Sequence, residues 1–310
     1  MAGRPVMLSE DLARYTALNR SLGYKFRTQY ALLRIFVAYA EQAGDEFVRT
    51  DRVLEWAARA PSPPQRRNRL LTVRRFALAM KAEDIRYEVP PADALGHGVF
   101  KRRIVHIYQP DEIVRLMSAA RQLQPNSSIK PLTYSTLFGL LAATGMRISE
   151  ALALRLEDVT ADGLIIRQTK FQKSRLLPLH PTTQQALDAY LSVRGRLGTL
   201  DGALFTSTAG KAPAYDTVAA IFRRLARTIG LRGGPGEPGP RIHDLRHTFA
   251  VRSLEECCHD AKSVSRHMIA LSTYLGHAHV TDTYWYLHAT PILMGQIAEA
   301  GEAAFRGHTP

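Results

Sequence analysis

The residues best suited to chemistry fall in four stretches: "ATGMRISEAL" (143–152), "TKFQKSR" (169–175), "HDLRHTFA" (243–250) and "YLGHAHVTDTYWYLH" (274–288). Among them they hold the guanidiniums of Arg147 and Arg246, the ammoniums of Lys170 and Lys173, the imidazoles of His243 and His277, and the phenols of Tyr284 and Tyr286 on either side of Trp285. Guanidinium forks grip phosphate or carboxylate oxygens and stay charged at any working pH. A phenol ionises near ~10 in water, so it attacks only when its proton is handled. Each stretch taken alone also has a structural reading. Arg147 can start a helix and pair with Glu150, His243 and Arg246 can form an i,i+3 surface pair, and His277 can meet the last carbonyls of a helix stopped by Gly276. Three aromatic residues in a row are a poor exposed end for a domain, which raises the question of whether Tyr284 or Tyr286 does chemistry.

The composition points the same way. The chain has 310 residues, 45% of them apolar, enough for two domains with real cores. Lys and Arg number 41 against 28 Asp and Glu, a formal charge of +13. That excess predicts an anionic partner, with nucleic acid ahead of an anionic membrane and a basic surface kept for solubility as the plain alternative. The N-terminal "MAGRPVMLSEDL" has no apolar signal-peptide core, and "LFGLLAATGM" is too short to span a bilayer. No membrane partner is expected. The only cysteines, Cys257 and Cys258, are adjacent, which rules out a disulfide framework, lacks zinc spacing and fits a reducing cytoplasm. No metal site and no cofactor is expected.

The elements that must position these groups are mainly helical. Helices are expected over 9–21 with Ser9 as cap, 28–43 stopped by Gly44, a third capped by Thr50, and a fourth from "SPP" to about 80 with Pro63 first. Leu12, Tyr15, Leu18 and Leu22 form the apolar stripe of the first. The fourth carries Arg66, Arg67, Arg69, Arg74 and Arg75, candidates for phosphate contact that do not form one clean stripe. Residues 1–87 thus read as a small helical DNA-gripping domain. Residues 88–103 read as a linker, with Lys101, Arg102 and Arg103 as further phosphate candidates. From 109 onward the chain is mostly helical again, with "PDEIVRLMSAA" starting a helix and "LTYSTLFGLLAATG" a buried one ending at Gly145, apart from a β-hairpin over 163–179. Helices are expected at about 182–194, 216–229, 244–256, 264–275, 281–289 and 291–305, with a turn-rich loop "RGGPGEPGP" at 232–240.

In this order and spacing the four stretches resemble the tyrosine recombinase (phage integrase) family: Arg147, the hairpin Lys170, His243 and Arg246 in "HDLRH", His277 in "LGH", and Tyr286. The resemblance is strong over about 104–290. It implies a mainly α fold with a small β-sheet, a SAM-like helical core-binding domain at 1–87 and a catalytic domain at 104–310. Tyr286 lies nine residues after His277, the family's spacing for its nucleophile. Tyr284, roughly 200° around a helix from it, should face away, and Tyr274 should be core.

The resemblance further implies a site-specific recombinase that joins DNA to Tyr286 through a 3′-phosphate, without metal or ATP. Arg147 and Arg246 would hold the phosphate oxygens, His243 and His277 would add hydrogen bonds, and Lys170 would protonate the leaving 5′ oxygen. Lys173 is a competing acid, read rather as a phosphate contact. The sequence departs from the family in Phe171, which stands where glycine often follows the lysine. The implied partners are double-stranded target sites and three further copies of the chain, with a nucleoid location in the cytoplasm; whether accessory proteins take part is left open. The tail helix 291–305 is expected to dock on a neighbouring protomer or on its own domain. "HATP" is similar to transposon-encoded members. A type IB topoisomerase and a non-catalytic DNA-binding factor are the alternatives.

Overall fold

The fold, taken from a computed structural model, is described for residues 7–96, 105–167, 174–197, 202–234, 236–256, 261–277, 279, 281–284, 286, 295 and 302. Contacts divide the chain into two compact units, Met1–Arg102 and Arg103–Pro310. Lys101, Arg102, Arg103, the hairpin tip with Lys170 and Lys173, the two cysteines, Trp285 and all of the tail 291–305 but two residues lie outside the described residues.

Among its described residues the first unit holds four helices: α1 (Leu8–Ser21), α2 (Arg27–Gln42), α3 (Thr50–Ala58) and α4 (Pro63–Lys81). Their buried faces meet in a core that includes Leu8, Leu33, Phe36, Trp56, Leu70 and Phe76. α4 begins as its sequence dictates, with Ser62 as N-cap residue and Pro63 in the first turn, where a missing N–H costs no hydrogen bond. Ser9 and Thr50 are not the caps that their types suggest. They lie inside the first turns, and their N–H groups donate to the carboxylates of Glu41 (2.8 Å) and Glu88 (2.7 Å). A carboxylate distant in sequence does the work of a local cap. The stripe along α1 is buried at Leu12, whereas Leu18 and Leu22 are 57% and 66% exposed.

The second unit is built around α6 (Lys130–Thr144), whose faces are buried nearly all round, at Tyr134, Leu137, Phe138, Leu140 and Leu141. α5 (Pro110–Arg121) packs along it. Three short antiparallel strands follow α7 (Ile148–Ala153): β1 (Val159–Thr160), β2 (Gly163–Ile166) and β3 (Arg175–Leu177). They lie in the order β1-β2-β3, and Ile166 opposite Arg175 fixes the register of the expected hairpin. The strand at Val159–Thr160, two residues long, is too short to leave an alternating pattern in the sequence. Then come α8 (Pro181–Arg194), α9 (Tyr215–Thr228), α10 (Ile242–Glu256), α11 (Ala261–Leu275) and α12 (Thr281–Tyr284).

Two joints between these elements shape the site. α6 ends at Gly145 with φ 60°, and a side chain there would strike the Phe249 ring of α10 at 2.5 Å. Glycine therefore allows both the left-handed turn and the close approach of α10. The loop 232–240 is stapled by its own Arg232, whose guanidinium donates to the carbonyls of Glu237, Gly239 and Pro240. That clamp delivers the chain into α10 and gives the Gly/Pro-rich loop a structural role.

Candidate active site

The site is organised by the C-terminal end of α11. A helix leaves its last carbonyls without intrahelical donors, and they carry partial negative charge. Here three guanidiniums from elsewhere in the unit meet them. Arg175 on β3 donates from Nε to the carbonyl of Tyr274 (2.9 Å). Arg147, just ahead of α7, donates to those of Leu275 (3.5 Å) and Gly276 (3.2 Å). Arg246 on α10 donates to Leu275 (2.9 Å), and to Gly145 at the end of α6 (2.7 Å). Gly276 turns the chain with φ 68°, and a Cβ there would lie 2.6 Å from Arg175 Nη1. The glycine of "LGH" is thus needed for close packing as well as for its turn.

Glu150 ties two of the three together. Its carboxylate accepts from Arg147 Nη1 (2.9 Å) and from the Arg147 backbone N–H (2.9 Å), the second being half of a capping box at the start of α7. It also accepts from Arg175 Nη1 (3.2 Å) and Nη2 (2.8 Å). Burial alone would raise the Glu150 pKa, but the bonds from Arg175 and Arg147 outweigh it and hold the carboxyl below its ordinary value. Glu150 and Arg175 are positioning residues; the pairing of Glu150 with Arg147 was open to sequence reasoning, which missed Arg175. The capping-box spacing from Arg147 to Glu150 was a local signal; the 25 residues between Glu150 and Arg175 hid the second contact.

Arg246 is 2% exposed. Burial, then the neighbouring charge of Arg147, lower its pKa to about 10, against the opposing pull of Tyr286 and Glu150. Its Nη2 also lies 2.8 Å from His277 Nε2, and the His277 Nδ1 is 2.7 Å from the hydroxyl of Thr283. Tyr286 is 3% exposed. It hydrogen-bonds Arg246, stacks on His277 (centroids 6.0 Å apart, planes at 20°) and lies against His247 (5.4 Å). Tyr284 belongs to the last turn of α12, and its side chain is outside the described residues. Tyr274 is half-buried and stacks on Phe249 at 5.5 Å, in keeping with a packing role.

His243 stands one turn before His247, their rings edge to face at 4.6 Å. His243 is exposed as a residue, yet desolvation of its ring by the surrounding protein, then the charges of Arg246 and Arg241, lower its pKa. Burial, then His243, Arg241, Arg246 and His277, press His247 down to about 3. A histidine whose folded pKa lies below its unfolded value stabilises the protein above pH ~6.5 and loses that contribution as pH falls toward the folded value. Wild-type protein is therefore expected to lose about 1–2 kcal/mol more stability between pH 6.5 and 5 than His247→Gln, read by urea unfolding at each pH. Equal slopes would mean that His247 takes up its proton in the fold as readily as in the unfolded chain.

Arg147, His243, Arg246, His277 and Tyr286 are thus brought together, while Lys170 and Lys173 lie outside the described residues. Most of the arginines of α4 have partners in their own unit. Arg66 donates to the carbonyl of Ala60, Arg67 to those of Ala92 and Gly96, and Arg74 to that of Pro90. Arg69 bonds the Trp56 carbonyl and lies over its ring at 4.7 Å. Arg67 and Arg74 thereby hold the start of the expected linker against the helices. Arg75 lines a cleft of about 700 Å³ with Tyr24, Lys25 and Arg27. Among the described residues there is no cluster of metal-ligating side chains and no helix long and apolar enough to cross a membrane.

The profile described as "Phage integrase family" matches residues 107–291. The Sinorhizobium fredii protein named "Putative integrase/recombinase y4rB" is 38% identical over 311 residues, which cover 97% of this chain and 98% of that protein. "Tyrosine recombinase XerD" of Mycobacterium tuberculosis is 31% identical over 66% of this chain and 63% of its own. The Tn1549 transposon integrase, solved in complex with transposon right end DNA, superposes with a TM-score of 0.66 at 19% identity, over 96% of this chain and 100% of that one.

Proposed function

The chain belongs to the phage integrase family, and on that premise we propose that it is a tyrosine-type site-specific DNA recombinase whose nucleophile is Tyr286. The observation that carries the reading is the convergence of Arg147, Arg246, His277 and the Tyr286 phenol at the end of α11.

The chemistry rests on the charges. A DNA phosphodiester is already anionic, and the transition state gathers more charge on its non-bridging oxygens. Arg147 and Arg246, held on backbone carbonyls before substrate arrives, present donors to those oxygens with little reorganisation. Their charges also favour the phenolate of Tyr286. His243, kept neutral, accepts the phenol proton and His277 donates to the phosphate. Attack by the Tyr286 oxygen on phosphorus forms a 3′-phosphotyrosine and breaks the bond to the 5′ oxygen. Lys170 gives that oxygen a proton, leaving a free 5′ hydroxyl. The energy of the broken ester is kept in the new one, so a second 5′ hydroxyl can reverse the step on a new partner without ATP. Four copies of the chain on two duplexes complete the exchange, with Met1–Arg102 and Arg103–Pro310 both gripping DNA.

The decisive experiment uses a nicked suicide substrate carrying a target site, from which the cleaved strand diffuses away. A covalent protein–DNA band on a denaturing gel is expected, and its linked peptide should map to Tyr286. Lys170→Ala should lower cleavage by about 10²–10⁴, the usual contribution of a general acid. A 5′-thiol leaving group, which departs without protonation, should restore it; failure of that rescue would move the acid role, with Lys173 the next candidate. Relaxation of supercoiled plasmid by the monomer without site preference would instead make the enzyme a topoisomerase.

A further inference from the structure

We propose that Thr283 is a positioning residue that accommodates the tautomer Arg246 imposes on His277 in the free enzyme and lets it reverse when phosphate binds. The inference rests on the reading of His277 as a phosphate donor and extends it to a residue outside the expected catalytic set. Thr283 lies in α12, three residues before Tyr286, and is fully buried. Its hydroxyl is 2.7 Å from His277 Nδ1, and the opposite ring nitrogen, Nε2, is 2.8 Å from Arg246 Nη2.

The proton positions are set by what each partner can do. A guanidinium has donors only. Arg246 must therefore donate to His277 Nε2, which carries a lone pair. In the neutral ring the proton is then on Nδ1, and it points to the oxygen of Thr283. This is the wrong tautomer for the proposed chemistry, because only Nε2–H can donate to a phosphate oxygen at the position now held by Arg246. Two routes correct it. The ring can take a second proton, but it would become a third cation beside Arg246 and Arg147. Alternatively the ring exchanges protons with water, gaining one at Nε2 and losing one at Nδ1, so that the net charge is unchanged.

The second route needs a partner for Nδ1 that accepts before phosphate binds and donates afterwards. A hydroxyl does both by rotating, whereas a backbone carbonyl or a carboxylate would hold Nδ1–H permanently. Arg246 gains from the same exchange. The N–H it now spends on His277 is released to the phosphate as Nε2 becomes a donor. Thr283 thereby couples the arrival of the anion to the completion of two donors.

The test combines a spectroscopic and a kinetic arm. In the free protein labelled with ¹⁵N-histidine, and with the signal assigned through His277→Asn, Nε2 should show the shift of an unprotonated ring nitrogen and Nδ1 that of a protonated one. Orthovanadate, a phosphate mimic, should interchange the two. In the kinetic arm, Thr283→Val keeps the shape but loses the hydroxyl. It should cut single-turnover cleavage of the suicide substrate roughly 10–100-fold, the loss seen when the partner orienting a metal-bound imidazole is removed. DNA affinity should be unchanged, and Thr283→Ser should restore the rate. A free protein with Nε2 protonated, or a Thr283→Ser as slow as Thr283→Val, would overturn the proposal. The wild-type spectrum and the serine variant decide it even if the valine variant misfolds. A wild-type protein that forms no covalent adduct at all would instead refute the recombinase reading, and the spectrum would still report on Thr283.

Discussion

Tyr286→Phe is expected to bind target DNA like the wild type and to form no covalent adduct. Loss of a nucleophile costs on the order of 10⁶-fold in rate in well-studied covalent catalysis, which on a suicide substrate means no visible band. The phenylalanine ring fills the same buried space between His277 and His247, so the fold should hold. What disappears is the oxygen that attacks phosphorus and its hydrogen bond to Arg246. Tyr284→Phe is the control. It changes a phenol only two residues away, and cleavage should stay within a few-fold of wild type. The reverse outcome, an adduct in Tyr286→Phe that is missing in Tyr284→Phe, would place the nucleophile at the wrong residue and break the link between the α11 end and the chemistry.

How much of this was legible in the sequence depends on the distance between partners. α4 could be read to the residue because Ser62 and Pro63 are local signals, and Gly145 and Gly276 marked helix ends by backbone freedom alone. α10 starts two residues earlier than expected, at Ile242, because Asp244 accepts the Arg241 backbone N–H (2.9 Å) and its side chain (3.1 Å). Ser9 and Thr50 misled because Glu41 and Glu88, 32 and 38 residues away, took over the work of a cap. The site shows the same division. The types and order of Arg147, His243, Arg246, His277 and Tyr286 were visible along the chain. That the carbonyls at the end of α11 would seat arginines from α7, α10 and β3, instead of meeting the side chain of His277, was not. No periodicity encodes a contact such as that of Arg175 with Tyr274, 99 residues apart. The bonds of the α4 arginines to backbone carbonyls were equally hidden, since a row of cations along a helix reads the same whether or not carbonyls hold it.

The second large effect is expected for Arg246→Lys, a substitution that keeps the charge type and loses the fork. N–H groups of this guanidinium are held by Gly145, Leu275 and His277, with a further bond to Tyr286, and an ammonium on a shorter reach cannot serve all of these and still face a phosphate. Removing one aligned transition-state donor costs about 10²–10³. With the fork gone and His277 released, cleavage at neutral pH should fall by about 10³–10⁴. The pH profile separates this reading from simple misfolding. The site lowers the arginine from 12.5 to about 10, chiefly by burial and then by Arg147. At about 1.4 kcal/mol per pKa unit this is a penalty of roughly 3 kcal/mol on the charged form, which an arriving phosphate would relieve. The same penalty applied to lysine, ordinarily near ~10.4, gives a pKa near ~8. Residual cleavage by Arg246→Lys should therefore be greatest below pH ~8 and decline above it, as the ammonium loses its proton. The wild-type guanidinium stays charged through that range. A lysine variant whose rate follows the wild-type profile at every pH, merely scaled down, would show that the environment of position 246 does not press on its charge, and that the buried cation is not what readies this site for an anion.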